Sequence, residues 1–100
     1  MQKGGWVYLL TNKGHSVIYT GVTSDLVGRI LQQQQKTYPR SFTARYNINT
    51  LIYFLFFEDI REAIEEEKRI KAGSRTAKIK LVTTLNPNWQ DLWIEIVSTW

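Results

Sequence analysis

The chain has 100 residues, no cysteine and a single histidine, His15, and we expect residues 1–100 to form one domain. The lack of cysteine excludes disulfides, iron–sulfur clusters, thiolate zinc sites and cysteine nucleophiles, and one histidine cannot form a multi-histidine metal site within a chain. Thirteen basic residues against nine acidic ones give a net charge of +4, a mild bias towards polyanionic partners. Any catalysis must therefore rely on carboxylates, tyrosine, arginine, lysine, hydroxyls or a hard metal ion.

No segment of the sequence resembles a membrane span or a targeting signal. The longest strongly apolar run covers residues 51–57, far short of the roughly 20 residues that cross a bilayer. At the N-terminus, the apolar residues 6–10 are followed at once by polar ones, which is too short for a signal-peptide core. These patterns predict a soluble cytoplasmic protein without a membrane partner.

The first segments predict a β-hairpin. Residues 6–10 and 17–20 are rich in aromatic and β-branched side chains, as strands are. The turn-forming residues of 12–16 connect them, and Gly21 is expected to end the second strand.

A helix and a short helical turn are predicted next. Thr23 or Ser24 is the candidate N-cap of a helix whose apolar stripe lies within residues 26–31. Pro39 interrupts any longer helix, and one turn of helix is expected near residues 41–46.

The second half of the chain predicts one strand and at least two helices. The uninterrupted apolar run 51–57 is typical of a central strand that is covered on both faces. Helices are expected over residues 59–72 and 74–85, the first with an acidic N-cap and a glycine after its end. The Asn-Pro pair at 86–87 resembles the start of another helix, and residues 89–100 fit either helix or strand.

One position of the helix at 59–72 breaks its apolar stripe. The stripe contains Ile60, Ala63, Ile64 and Ile70, and the position between the last two belongs to Glu67. A carboxylate on an inward face must be paired, hydrogen-bonded or metal-bound. On pattern alone, a Glu at the edge of the core that reaches solvent is the simpler interpretation.

Arg29, Tyr8 and Tyr19 are ambiguous in the same way. Arg29 lies beside the apolar stripe of the first helix, where a solvated charge is the simpler interpretation. Tyr8 and Tyr19 lie in adjacent strands of the hairpin, where a packed aromatic pair is common. None of these signals identifies a function singly.

Taken in order, these residues resemble the GIY-YIG nuclease family, most of all its small single-domain bacterial members. The Trp-Val-Tyr at 6–8 is followed after ten residues by the Tyr-Thr-Gly at 19–21, then by Arg29 on the next helix and Glu67 on a later one. The resemblance extends from about residue 5 to residue 93. Further phrases similar to relatives lie at residues 19–26, 41–47, 58–64 and 85–89.

The resemblance implies an α/β fold, an α+β sandwich with a small central three-stranded sheet flanked by helices. It implies a phosphodiesterase that hydrolyses DNA by water attack, with Tyr8 and Tyr19 orienting or activating the water. Arg29 would bind the scissile phosphate, and Glu67 would hold one divalent cation, Mg²⁺ or Mn²⁺. The implied nucleic-acid contacts are Gly21, Thr43, Arg45, Tyr46, Lys68, Lys71, Arg75 and Lys78. A monomer or weak homodimer is expected.

Two departures from the family pattern leave alternatives open. Gln33 lies where relatives often carry His or Tyr, and it cannot act as a general base near neutral pH. Thr20 puts a hydroxyl where relatives pack an aliphatic side chain. A catalytically weak or inactive nucleic-acid-binding module on the same scaffold is therefore the alternative function. A third possibility is a protein-interaction domain anchored by Trp89, Trp93 or Trp100.

Overall fold

A three-stranded antiparallel sheet in the order β2-β1-β3 organises the chain. The computed structural model describes residues 3–36 and 39–99. The strands are β1 (Gly5–Thr11), β2 (Ile18–Thr23) and β3 (Thr50–Phe57). The helices are α1 (Leu26–Gln35), α2 (Phe42–Arg45), α3 (Ile60–Ala72), α4 (Arg75–Leu85) and α5 (Trp93–Thr99). The expected α/β fold with a small sheet flanked by helices is confirmed.

The β1–β2 hairpin is formed as predicted, but β2 continues past Gly21 to Thr23. The turn is held by Asn12, whose side-chain oxygen accepts the backbone N–H of Ser16 at 2.8 Å. In the register of the hairpin, Gly21 pairs with Tyr8. Gly21 is therefore an interior residue of β2 and does not end the strand. Its lack of a side chain leaves room for the ring of Tyr8.

The central strand is β1, and the prediction of a central position for residues 51–57 is wrong. β1 pairs with both of the other strands, whereas β3 lies at the edge, where Leu55 and Phe56 are 40% and 48% exposed. Only the first half of β3, residues 51–53, is buried. The apolar run does not indicate a central strand, because its later aromatic residues pack on neighbouring rings and still remain exposed to solvent. Phe56, for example, contacts Trp6 with 4.8 Å between ring centroids.

The alternation of side chains along β1 divides the core into two clusters, one on each face of the sheet. The first cluster contains Val7, Leu9, Ile52, Tyr53, Ala63, Ile70 and Val82. The second contains Tyr8, Leu10, Leu26, Ile30, Ile48, Leu51 and Ile96. Helices α3 and α4 thus cover one face of the sheet, and α1 and α5 cover the face to which Tyr8 points.

The N-cap of α1 is Asp25, not the predicted Thr23 or Ser24. Its carboxylate accepts the backbone N–H of Gly28 at 3.0 Å, as N-cap side chains do. Thr23 instead supports the capping residue, because its hydroxyl accepts the backbone N–H of Asp25 at 3.0 Å. The helix then extends through the glutamines to Gln35.

Asn86 does not start a helix as predicted, because it ends α4 and fastens the following loop to the sheet. Its buried side-chain amide donates to the carbonyl oxygens of Ile52 at 3.1 Å and Gln90 at 2.9 Å. The C-terminal helix begins later, at Trp93.

The tryptophans that were candidate anchors for a partner are used in the fold. Trp89 and Trp93 are half-buried, and each packs against one of the two core clusters. Trp100 lies outside the described residues. No helix within the described ranges is long and apolar enough to cross a membrane.

Candidate active site

Tyr8 and Tyr19 lie diagonally across the hairpin on one face of the sheet. Tyr8 pairs with Gly21, so Tyr19, two residues earlier on β2, is its diagonal neighbour, and the two ring centroids are 6.4 Å apart. A Cβ atom on Gly21 would lie 2.4 Å from both Cζ and the hydroxyl oxygen of Tyr8. The Tyr8 ring therefore lies across the backbone of Gly21, which has room for it only because it is glycine.

The Tyr8 hydroxyl is a buried polar group in an unusual electrostatic environment. Its oxygen has no hydrogen-bond partner of normal geometry within the described residues, and such a group needs a water or ligand atom to complete it. The pKa of Tyr8 is raised to about 12, mostly by burial; Tyr19 and Glu67 contribute to the rise, and the Arg29 guanidinium opposes it. Both charges therefore act on the same phenol.

Arg29 and Glu67 reach this region from helices on opposite faces of the sheet. Arg29 lies on α1, which packs on the Tyr8 face, and Glu67 lies on α3, which packs on the other face and contacts the edge strand β2. Both residues are half-buried. The ion pairs among the described residues involve neither of them, so each charge is available to a ligand.

The surroundings of Glu67 fit a cation site in which one protein carboxylate is a ligand and the other ligands come from water and substrate. Glu67 lies between the buried residues Ala63 and Ile70 along α3, which agrees with its predicted place in the apolar stripe. In the part of the chain that the structure describes, no three Asp, Glu or His residues cluster to hold a metal. One carboxylate completed by waters and phosphate oxygens is a coordination shell that Mg²⁺ commonly adopts.

Of the residues in and next to α2 that were expected to bind nucleic acid, one is buried and two are exposed to solvent. Thr43 is buried, and its hydroxyl hydrogen-bonds to the side-chain oxygen of Gln33, so it fastens α2 to α1. Arg45 and Tyr46 are exposed. The sequence reasoning missed Phe42, which is exposed and contacts Tyr46 with a ring-centroid distance of 4.8 Å. The spacing of four residues within one helical turn was the signal that could have identified this pair.

Residues 68–80, which contain six basic residues and no acidic one, were expected to contact nucleic acid, but part of this basic run makes contacts within the fold. The Lys78 ammonium donates to the carbonyl oxygen of Gly73 at 2.6 Å, at the end of α3, where a cation is favourable. The Arg75 guanidinium donates to the carbonyl oxygen of His15 at 2.8 Å. Lys68 and Lys71 are exposed. The run is therefore not one uniform cationic surface.

Comparisons with known proteins agree with this arrangement. The family described as the GIY-YIG catalytic domain matches residues 4–80. UPF0213 protein CPE1444 of Clostridium perfringens is 36% identical over 83 residues, which cover 79% of this chain and 83% of that protein. The solution NMR structure of UPF0213 protein BH0048 from Bacillus halodurans has a TM-score of 0.57 at 27% identity, covering 88% of this chain and 92% of that one. The match to the family over most of the chain, with paired tyrosines, an arginine and a glutamate in its order, shows that the chain belongs to the nuclease-like GIY-YIG family.

Proposed function

We propose that this protein is a metal-dependent endonuclease that hydrolyses DNA phosphodiester bonds by water attack. The observation that supports it most is that two opposite charges, Arg29 and Glu67, both act on the buried phenol of Tyr8 and shift its pKa in opposite directions. Neither charge has an ion-pair partner among the described residues. Partial burial of a charge without an ion-pair partner is unfavourable, and these two residues suit a site that a phosphate and a cation complete.

Arg29 is the residue that binds the scissile phosphate in this proposal. A guanidinium offers a planar pair of donors that matches two phosphate oxygens. The same contact stabilises the charge that grows on those oxygens as water attacks phosphorus. A divalent cation bound at Glu67 would supply Lewis-acid stabilisation of the phosphate oxygens.

The two tyrosines have different parts in the proposal. Because burial holds the pKa of Tyr8 at about 12, Tyr8 keeps its proton at neutral pH and serves as a hydrogen-bond donor that orients water or phosphate. Tyr19 is half-buried on the same face, and its phenol oxygen is the acceptor for the attacking water.

The decisive experiment compares the site variants with variants of the same residue types at exposed positions of α3. Arg29→Ala and Glu67→Ala should each reduce cleavage of a DNA substrate panel, with Mg²⁺ or Mn²⁺, by about 100-fold or more, since each removes charge stabilisation from the transition state. Glu65→Ala and Arg61→Ala remove the same charges from exposed positions of α3 and should cut like the unmodified protein. Unfolding midpoints verify that all four variants are folded. If the folded Arg29→Ala and Glu67→Ala variants cleave as well as the unmodified protein, the proposal is wrong.

The alternative function, a nucleic-acid-binding module without catalysis, is favoured by one observation. The side-chain oxygen of Gln33 is occupied by the Thr43 hydroxyl, so the position where relatives often carry a proton acceptor serves as a structural link. This alternative predicts salt-sensitive binding that survives Glu67→Ala, with no cleavage under any divalent metal. Cleavage that depends on Glu67 would eliminate it.

A further inference from the structure

One interval of the chain around α1 and α2 carries basic residues and no acidic residue. Between Asp25 and Glu58 there is no acidic residue. The other nine basic residues of the chain are matched by its nine acidic ones. The four basic residues of this interval, which account for the whole net charge, are Arg29, Lys36, Arg40 and Arg45. A polyanion is therefore attracted to α1 and α2. Residues 68–90 also hold six basic residues and no acid, but three of these, Arg69, Arg75 and Lys78, are engaged in contacts within the fold.

The same interval exposes an aromatic pair. Phe42 and Tyr46 are 54% and 52% exposed, and their rings contact each other with 4.8 Å between centroids and 46° between planes. Phe42 is the first residue of the short helix α2 and Tyr46 caps its C-terminal end; the buried residues Thr43 and Ala44 anchor the helix. Exposed aromatic rings beside cations such as Arg45 are the combination on which single-stranded nucleic acids stack their bases.

The aromatic pair is fixed in position relative to the candidate active site. Gln33 lies one turn after Arg29 on the same side of α1, and it hydrogen-bonds to Thr43 on α2. A second link joins Lys36, at the end of α1, to the side-chain oxygen of Asn47 at 2.6 Å. A strand whose phosphate is bound at Arg29 can therefore continue along α1 to Phe42 and Tyr46 without any rearrangement of these elements.

We propose that Phe42 and Tyr46 stack an unpaired base of the DNA strand that enters the active site, so that the substrate carries unpaired nucleotides beside the scissile phosphate. The placement of that phosphate at Arg29 rests on the proposed nuclease function. An aromatic side chain gains a stacking contact only where a base face is open, and in a duplex both faces are covered by neighbouring bases. The surface defined by Phe42 and Tyr46 thus selects single-stranded over duplex DNA.

The test measures binding and does not need cleavage. Fluorescence anisotropy with a labelled oligothymidylate and a labelled blunt duplex, both in EDTA, gives the two affinities of each variant. Phe42→Ala and Tyr46→Ala should weaken single-strand binding by roughly 5-fold to 100-fold, the range expected for one base–aromatic stack, and leave duplex binding nearly unchanged. Tyr46→Phe keeps the ring and should keep the affinity. Ile94→Ala removes an apolar side chain that is even more exposed, on α5, and should change neither affinity.

Two results would overturn the stacking surface: single-strand affinity that is unchanged in both alanine variants, or equal losses for the single strand and the duplex. Because the assay is free of metal and cleavage, its outcome is separate from that of the nuclease proposal. Unchanged cleavage in Arg29→Ala and Glu67→Ala would refute the nuclease, while the anisotropy result would still decide whether the aromatic pair binds bases. Arg45→Gln should weaken both probes and lower the salt dependence of single-strand binding by about 0.7 in the log–log slope, as expected for one lost phosphate contact.

Discussion

The close approach of Gly21 to Tyr8 gives the sharpest test of the site geometry. A methyl group at position 21 would lie 2.4 Å from two atoms of the Tyr8 phenol, whereas non-bonded carbon atoms rest at about 3.5–4.0 Å. The ring would have to move by about 1 Å, and Tyr8 is fully buried among packed neighbours. We therefore expect Gly21→Ala to lower the free energy of unfolding by about 1–3 kcal/mol, the usual cost of overpacking a core.

The assay is urea or thermal unfolding of Gly21→Ala beside a matched glycine variant. Each kcal/mol corresponds to a decrease of about 4–8 °C in Tm for a domain of this size. Gly14→Ala is the control, because a Cβ atom there meets no atom within 4 Å, and its stability should not fall. Cleavage should decrease in Gly21→Ala as well, since the displaced ring is the one proposed to orient water or phosphate.

A double-mutant cycle identifies Tyr8 as the cause. Tyr8→Leu removes the ring, so Gly21→Ala should cost less in that background, with a coupling energy of at least about 0.5 kcal/mol. If Gly21→Ala is as stable as the unmodified protein, or if its cost is the same in both backgrounds, the Tyr8 ring does not lie across Gly21 and the proposed site geometry is refuted.

Three further predictions concern buried polar groups. The Thr20 hydroxyl is buried without a partner among the described residues, so Thr20→Val should raise the free energy of unfolding by about 1 kcal/mol in urea titrations; a decrease would mean that the hydroxyl is satisfied by bound water. Because the pKa of Tyr8 is raised to about 12, the protonated phenol contributes about 2–3 kcal/mol to the free energy of unfolding, which is fully present below pH 10 and is lost as the pH rises towards 12. Tyr8→Phe should flatten this decrease of stability at alkaline pH. Asn86→Ala should cost about 2–3 kcal/mol, since it leaves the carbonyl oxygen of Ile52 without its side-chain donor, and Asn86→Asp, which also lacks the donor, should be no better.

Local patterns in the sequence determined much of the secondary structure. The strand at the N-terminus, the hairpin and the helix capped by Ser74 depend on alternation, turn residues and side-chain caps, which act over a few residues. Helical periodicity alone placed Glu67 in the apolar stripe of α3, because a helix fixes which residues share a face, and the structure finds it half-buried there. The order of the two tyrosines, the arginine and the glutamate, together with longer phrases similar to relatives, indicated the GIY-YIG family, which the family match confirms.

Which strand is central and which polar groups are occupied depended on the tertiary structure. An apolar run such as residues 51–57 shows that a segment is hydrophobic but does not show which elements pack on it. The sequence therefore predicted a central position for β3, whereas the structure places it at the edge of the sheet. Asn86 has the local pattern of a helix start, but its amide bonds to a strand 34 residues away, and Lys78 is used to bind a helix end. Such assignments depend on contacts between distant residues, which local propensities do not encode.

The candidate site shows the same division. The sequence by itself determined that the available chemistry is that of tyrosine, arginine and one carboxylate, because cysteine is absent and histidine is single. Only the tertiary structure decided that Tyr8 is the buried tyrosine with a raised pKa while Tyr19 is half-exposed. The physical reason is that the pKa of a phenol depends on its burial and on the charges around it, and here those charges come from helices on opposite faces of the sheet.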